Sequence, residues 1–190
     1  VGSHHLLHLA FDRNNHKTFS IMFQTLHIKN MVCDRCKKVI KDELTTLGVE
    51  VHSIELGVLE VDPKSVDLES IAGTIEAHGF ELIESKEEIM VERIKVFLIN
   101  MIDQLPIQRK NKLSTMISDE LGRDYSSLSK VFSQREHITI EKYFLRLKLE
   151  KVKELIQDDS NSFSQIASIL DYSSINHLSG QFKQETGLSM

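Results

Sequence analysis

Ile117-Ser118-Asp119-Glu120-Leu121-Gly122, leading to Leu128-Ser129-Lys130-Val131-Phe132, is half of a pattern that the chain carries twice. The second copy is Ile166-Ala167-Ser168-Ile169-Leu170-Asp171-Tyr172, leading to Leu178-Ser179-Gly180-Gln181-Phe182-Lys183. Each copy holds a short apolar-periodic helix, a tight turn, and a second helix with Leu and Phe four apart on one face. That arrangement predicts a helix-turn-helix, whose second helix fits the DNA major groove. Two copies in one chain point to a reader of double-stranded DNA.

Upstream of the first copy, Ile94, Phe97, Leu98, Met101, Ile102 and Leu105 mark an amphipathic helix over 89–105, stopped by Pro106. A long helix from Ile140 to Gln157 joins the two motifs. Asp158-Asp159-Ser160-Asn161-Ser162 then sets off the second motif. The net charge of −5 would oppose nucleic-acid binding if it were spread evenly. It is not: residues 22–88 hold 7 Lys and Arg against 14 Asp and Glu, whereas residues 89–190 hold 14 against 13. The C-terminal half is balanced, which permits a local basic face.

The N-terminal half reads differently. Thr25 to Lys29 alternates as a strand, and Val39, Ile40, Leu44 and Leu47 have helical spacing up to Gly48. Val49 to Leu56, Gly57 and Val58 to Val61 predict a hairpin. Leu68 to Ala77 predicts a helix closed by Gly79, and Phe80 to Ile83 a last strand. The order β-α-β-β-α-β makes residues 22–85 a ferredoxin-like α+β domain. Ser85 to Glu88 reads as a polar connector to the all-α double helix-turn-helix domain at 89–190. Residues 1–21 hold four of the nine histidines and match nothing downstream. They read as a disordered leader, either a cloning remnant or an upstream misreading, with Met22 as the natural start.

Residues 89–190 resemble the AraC-family DNA-binding domain. The matching residues are Leu121-Gly122, Leu128 to Phe132, Tyr143 to Lys148, Leu155, Ile166-Ala167, Tyr172, Leu178-Ser179, Phe182-Lys183 and Gly187 to Ser189. His137 and Asp171 stand where the family usually has glycine, and Ser118 replaces an alanine. The chain stops at Met190, where the family continues through a proline and an aromatic, as a truncated C-terminus would. The resemblance implies DNA contacts from Tyr125, Ser126, Ser127 and Lys130 in the first motif. In the second it implies Ser174, Ile175, Asn176, His177, Gln181 and Lys183. Asn176 suits a bidentate pair with adenine, and Lys130 and Lys183 suit phosphates. Leu128, Phe132, Leu178 and Phe182 belong to the core.

A second motif is Asn30-Met31-Val32-Cys33-Asp34-Arg35-Cys36. Cysteines three apart, entering a helix, put both sulfurs on one side of a turn. The helix N-terminus with Arg35, Lys37 and Lys38 favours thiolate. Two soft thiolates without a third ligand suit Cu(I) better than Zn(II), which takes four ligands. A thiol redox switch and a scaffold for protein contacts are the other readings of the pair. The loop and its βαββαβ setting resemble the heavy-metal-associated domain of copper chaperones and metal ATPases, with Asn30 in place of the usual glycine. That resemblance implies a metal site at Cys33 and Cys36, holding Cu(I) or another soft metal ion. Met31 reads as a core anchor beneath the loop. His27, His52 and His78 show no ligand spacing.

No segment approaches the roughly 18 unbroken apolar residues of a membrane span, and no secretory signal is legible. A close cysteine pair in such a chain fits a reducing cytosol. No nucleophile motif, Gly-rich phosphate loop or paired carboxylate supports an enzyme. The sequence therefore predicts a cytoplasmic, non-enzymatic transcription regulator, possible as a homodimer, that responds to a soft metal ion such as Cu(I). The rival is a metal carrier or thiol-redox protein whose C-terminal helices are an interaction module.

Overall fold

The computed structural model describes residues 23–65, 67–108 and 111–190. The leader read at residues 1–21 lies outside them. The elements are β1 (Gln24–Lys29), α1 (Asp34–Thr46), β2 (Val51–Glu55), β3 (Val58–Val61), α2 (Leu68–Glu76), β4 (Glu81–Ile83), α3 (Lys86–Asp103), α4 (Leu113–Leu121), α5 (Tyr125–Glu136), α6 (Ile140–Gln157), α7 (Phe163–Ile169) and α8 (Ile175–Thr186).

The first part is a small antiparallel sheet in the order β2-β3-β1-β4. Strand alternation sends Leu26 and Ile28 of β1 inward, beside Leu59 and Val61 of β3. Ile40 and Leu44 of α1, with Ile71 and Ile75 of α2, close the same core at the i, i+4 spacing of a helix face. Met31 is buried in it, the anchor position read from the sequence. Leu47 is not: α1 ends at Thr46, and this side chain is 44% exposed. Val49 is buried ahead of β2, which begins two residues later than read.

The remainder is all helical, around a core that includes Ile94 and Leu98 of α3, Leu128 and Phe132 of α5, Phe144 of α6, and Leu178 and Phe182 of α8. The connector read at Ser85–Glu88 is corrected. Lys86 to Glu88 form the first turn of α3, and Ser85 is its N-cap, its hydroxyl oxygen accepting from the Glu88 N–H at 3.2 Å. A serine followed three residues later by glutamate is a recognised helix-start signature. The consequence is mechanical. From β4 the chain passes through Glu84 and Ser85 straight into a rigid 18-residue helix. Among the described residues no helix is long and apolar enough to cross a membrane.

Candidate nucleic-acid interface and cysteine loop

Two helix pairs, α4–α5 and α7–α8, flank α6. In each, the second helix buries the Leu and Phe four apart and turns its other face to solvent. Leu128 and Phe132 are buried on α5, Leu178 and Phe182 on α8. Ser126, Ser127 and Lys130 are exposed on α5, as are Ser174, Ile175, Asn176, His177 and Lys183 on α8; Gln181 is half-buried. The sequence-derived residues therefore gather on two solvent-facing helix faces. Gln134 and Gln184 extend these faces by one more turn. Helical spacing puts Gln134 four residues after Lys130 and Gln184 three after Gln181.

Several of these side chains also hold the helices in shape. Asp124 is the N-cap of α5, accepting from the Ser127 N–H at 3.1 Å and from the Ser126 hydroxyl. The Ser126 hydroxyl and Ser127 N–H keep its carboxyl below the usual carboxylate range. Ser174 caps α8 in the same way, accepting from the His177 N–H at 3.1 Å. The His177 ring shares a 3.1 Å hydrogen bond with the Ser173 hydroxyl and stands edge-on to Tyr172. Tyr125 is half-buried, and its hydroxyl donates to Glu141 of α6. Burial and that bond raise its pKa well above the ordinary phenol value. Its hydroxyl is thus bonded to α6, a contact with no local sequence signal.

The turns explain two departures from the family pattern. Gly122 follows α4 with φ 62°, and Asp171 takes the corresponding place after α7 with φ 57°. His137 ends α5 at φ 58°, where Gly187 ends α8 at φ 75°. The left-handed geometry is kept in both motifs whether or not glycine supplies it. Asp and His are among the residues that enter this region more often than most.

In the cysteine loop, Cys33 is the N-cap of α1 and exposed, while Cys36 is half-buried in its first turn. The two sulfurs are 3.4 Å apart. The Cys36 backbone N–H holds the Cys33 thiol below its ordinary pKa against partial desolvation, with help from the Cys36 thiol and from the backbone and charge of Arg35. Lys37 does not serve the sulfurs; it pairs with Asp34 at 2.8 Å and Glu55 at 3.5 Å. Among the described residues no group of three or more His, Cys, Asp or Glu is placed to hold a metal ion. The donor set is two thiols, which fits a soft ion of low coordination number and does not complete a four-ligand zinc site. His78 lies 3.4 Å from Glu43, and His52 stacks on Phe23.

The loop leans on α3. Asn30 has φ 72°, and its N–H donates to Glu92 Oε1 at 2.8 Å while its side-chain amide donates to the Gly79 carbonyl at 3.1 Å. A Cβ at Gly57, in the β2–β3 turn, would stand 3.4 Å from Val96 Cγ2 of α3. An open cleft of about 810 Å³ separates Cys33, Asp34 and Arg35 from Val96, Asn100 and Asp103. On its other side, α3 meets α5. Lys95 lies 3.7 Å from Glu92 and 2.7 Å from Glu136, and Arg135 lies 3.6 Å from Glu88.

Residues 117–190 match a family model described as a helix-turn-helix domain. Among solved structures, the chain is similar to the C-terminal domain of AraT, a response regulator from Geobacillus stearothermophilus. The two are 19% identical with a TM-score of 0.47, over 55% of this chain and 83% of that one. No curated protein matches the chain.

Proposed function

We propose that this chain is a DNA-binding transcription regulator of the AraC type. Its N-terminal ferredoxin-like domain would report the state of Cys33 and Cys36. The observation that carries the reading is the paired geometry of α5 and α8. Each buries a Leu–Phe pair and exposes a short polar face with a lysine at or near it, and residues 117–190 match the helix-turn-helix model. Asn176 and His177, exposed at the start of α8, would meet base edges as the first residues of a recognition helix. Lys130 and Lys183 fix register through phosphates, and a bidentate Asn176–adenine pair supplies part of the specificity.

At the N-terminal site, Cys33 and Cys36 would hold Cu(I) or another soft metal ion, which would supply a positive charge and a fixed sulfur spacing. The exposed Cys33 admits the ion, and its helix-start position favours the thiolate. A thiol-redox reading is favoured by the sulfur separation of 3.4 Å, from which an external thiol oxidant, taking two electrons and the two thiol protons, would close a disulfide after a small loop adjustment.

Selection of duplexes from a random pool by the full chain tests the DNA reading. Enrichment of two short elements about 34 Å apart, with affinity falling steeply with salt, is the expected result. Loss of the element nearest α8 in Asn176→Ala fixes orientation. A chain that enriches nothing returns the C-terminal helices to an interaction module, and the metal-carrier reading gains. For the cysteine site, a Cu(I) titration of the full reduced chain against a competing chelator is expected to show one ion bound. The Cys33→Ser/Cys36→Ser chain should bind none.

A further inference from the structure

We infer that Glu92 and Lys95 form a latch that couples the cysteine loop to the end of the first recognition helix. The latch rests on the reading that the loop changes state and α5 meets DNA, and it names the residues that join the two. Its members run without a gap. The Asn30 N–H, three residues before Cys33, donates to Glu92 Oε1 at 2.8 Å; Glu92 Oε2 lies 3.7 Å from Lys95 Nζ; Lys95 Nζ lies 2.7 Å from Glu136 Oε1, in the last turn of α5.

Position and burial set this chain apart from ordinary surface pairs. The Glu92 and Lys95 side chains are 9% and 12% exposed. A carboxylate so enclosed needs its partners, because an unpaired buried charge is costly. Glu92 is the one buried charged residue of α3. The same contact fixes an unusual backbone: Asn30 is left-handed, which points its N–H at Glu92. Around the latch a cavity of about 130 Å³ is lined by Lys29, Glu88, Glu92, Lys95, Arg135 and Glu136. These charges are paired within the junction: Lys29 with Glu81, Arg135 with Glu88. A change in the cysteine loop that moves Asn30 pulls on Glu92, and the alternation of charge carries the pull to Glu136. His137, the left-handed residue that ends α5, follows directly.

Hydrogen exchange in the full chain tests this without any operator or metal. The probe is carbamidomethylation of the exposed Cys33 thiol by iodoacetamide, which enlarges the loop. In the wild type, alkylation should change the exchange of the 133–137 amides by about threefold or more, on the scale of a fraction of one charged hydrogen bond. Glu92→Met and, as a second variant that leaves the loop untouched, Lys95→Met should abolish that response. Lys95→Arg, which keeps the charge, should retain it. A purely structural role predicts faster exchange in both Met variants, with the alkylation response intact. That outcome overturns the latch, as does a wild-type α5 end indifferent to alkylation. Failure of the DNA selection with the alkylation response present would remove the regulator reading and leave the latch. The opposite pair of results would leave an uncoupled regulator.

Discussion

The two helix-turn-helix units are built on one plan and anchored differently. In the first, α5 lies between α3 and α6: Lys95 and Glu88 of α3 hold Glu136 and Arg135, and Glu141 of α6 takes the Tyr125 hydroxyl. The second unit takes its ties from α6 and the segment after α3. Lys142 pairs with Glu185, Lys148 lies 3.7 Å from the Tyr172 ring centroid, and the Ile107 N–H donates to the Ile169 carbonyl at 2.8 Å. The difference places the first unit in register with the N-terminal domain and leaves the second to follow α6. Under the proposed coupling, a change in the cysteine loop would reach α5 before α8.

The largest effect expected from this contrast is in the core. Phe132 is fully buried and Phe182 is 6% exposed. Phe132→Ala should cost about 3–5 kcal/mol in denaturant unfolding, and Phe182→Ala an amount toward the lower end of that range. Phe132→Ala should also release α3, seen as faster amide exchange in residues 94–102. If Phe182→Ala costs more, or disturbs α3 equally, the two units are not differently anchored.

The plan of the units was legible because it is local. Leu and Phe at i and i+4, with a left-handed residue at the turn before the helix or at its end, identify a packed second helix even where Asp171 or His137 replaces glycine. The cysteine loop was legible for the same reason: Met31, Cys33 and Cys36 occupy one turn between a strand and a helix. The anchoring was not legible. Asn30 meets Glu92 across 62 positions, and Glu92 and Lys95 on an amphipathic helix look like any solvated charges. Tyr125 is similar, since nothing near it in the chain announces that Glu141, 16 positions on, will take its hydroxyl. The start of α3 is a different case. Its serine and glutamate stood in the capping pattern, but a run of polar residues between two apolar segments reads more readily as a linker.

A smaller effect separates the turns. Gly122 and Gly187 have open space where a Cβ would stand, so alanine there meets only the left-handed backbone. Each Gly→Ala change should cost roughly 1–2 kcal/mol. The reverse change, His137→Gly, should stabilise the chain by up to about 1 kcal/mol. Asp171→Gly should gain less, because the short polar side chain of aspartate enters the left-handed region more readily than most. Thermal unfolding of the four variants orders them. An Asp171→Gly gain above that of His137→Gly would mean that the second turn, not the end of the first unit, holds the greater strain.

The smallest difference is in the caps, and pH reaches only one of them. α5 is capped by the carboxylate of Asp124 and α8 by the hydroxyl of Ser174. Hydrogen bonds from Ser126 and Ser127 lower the pKa of Asp124 in the folded chain, so its unfolded value is the higher one. The cap therefore contributes fully above the unfolded value, near that of an ordinary aspartate, and its contribution fades as pH falls through the lowered folded value. Over that acid range the Ser127 amide resonance should titrate and its exchange quicken, while the His177 amide, held by a group that does not ionise, stays level. In Asp124→Ser the first unit acquires the cap of the second, and the Ser127 titration should vanish. A Ser127 amide that still titrates in that variant would assign the acid sensitivity to the neighbouring Glu141, which accepts from Tyr125 in the same turn of α5.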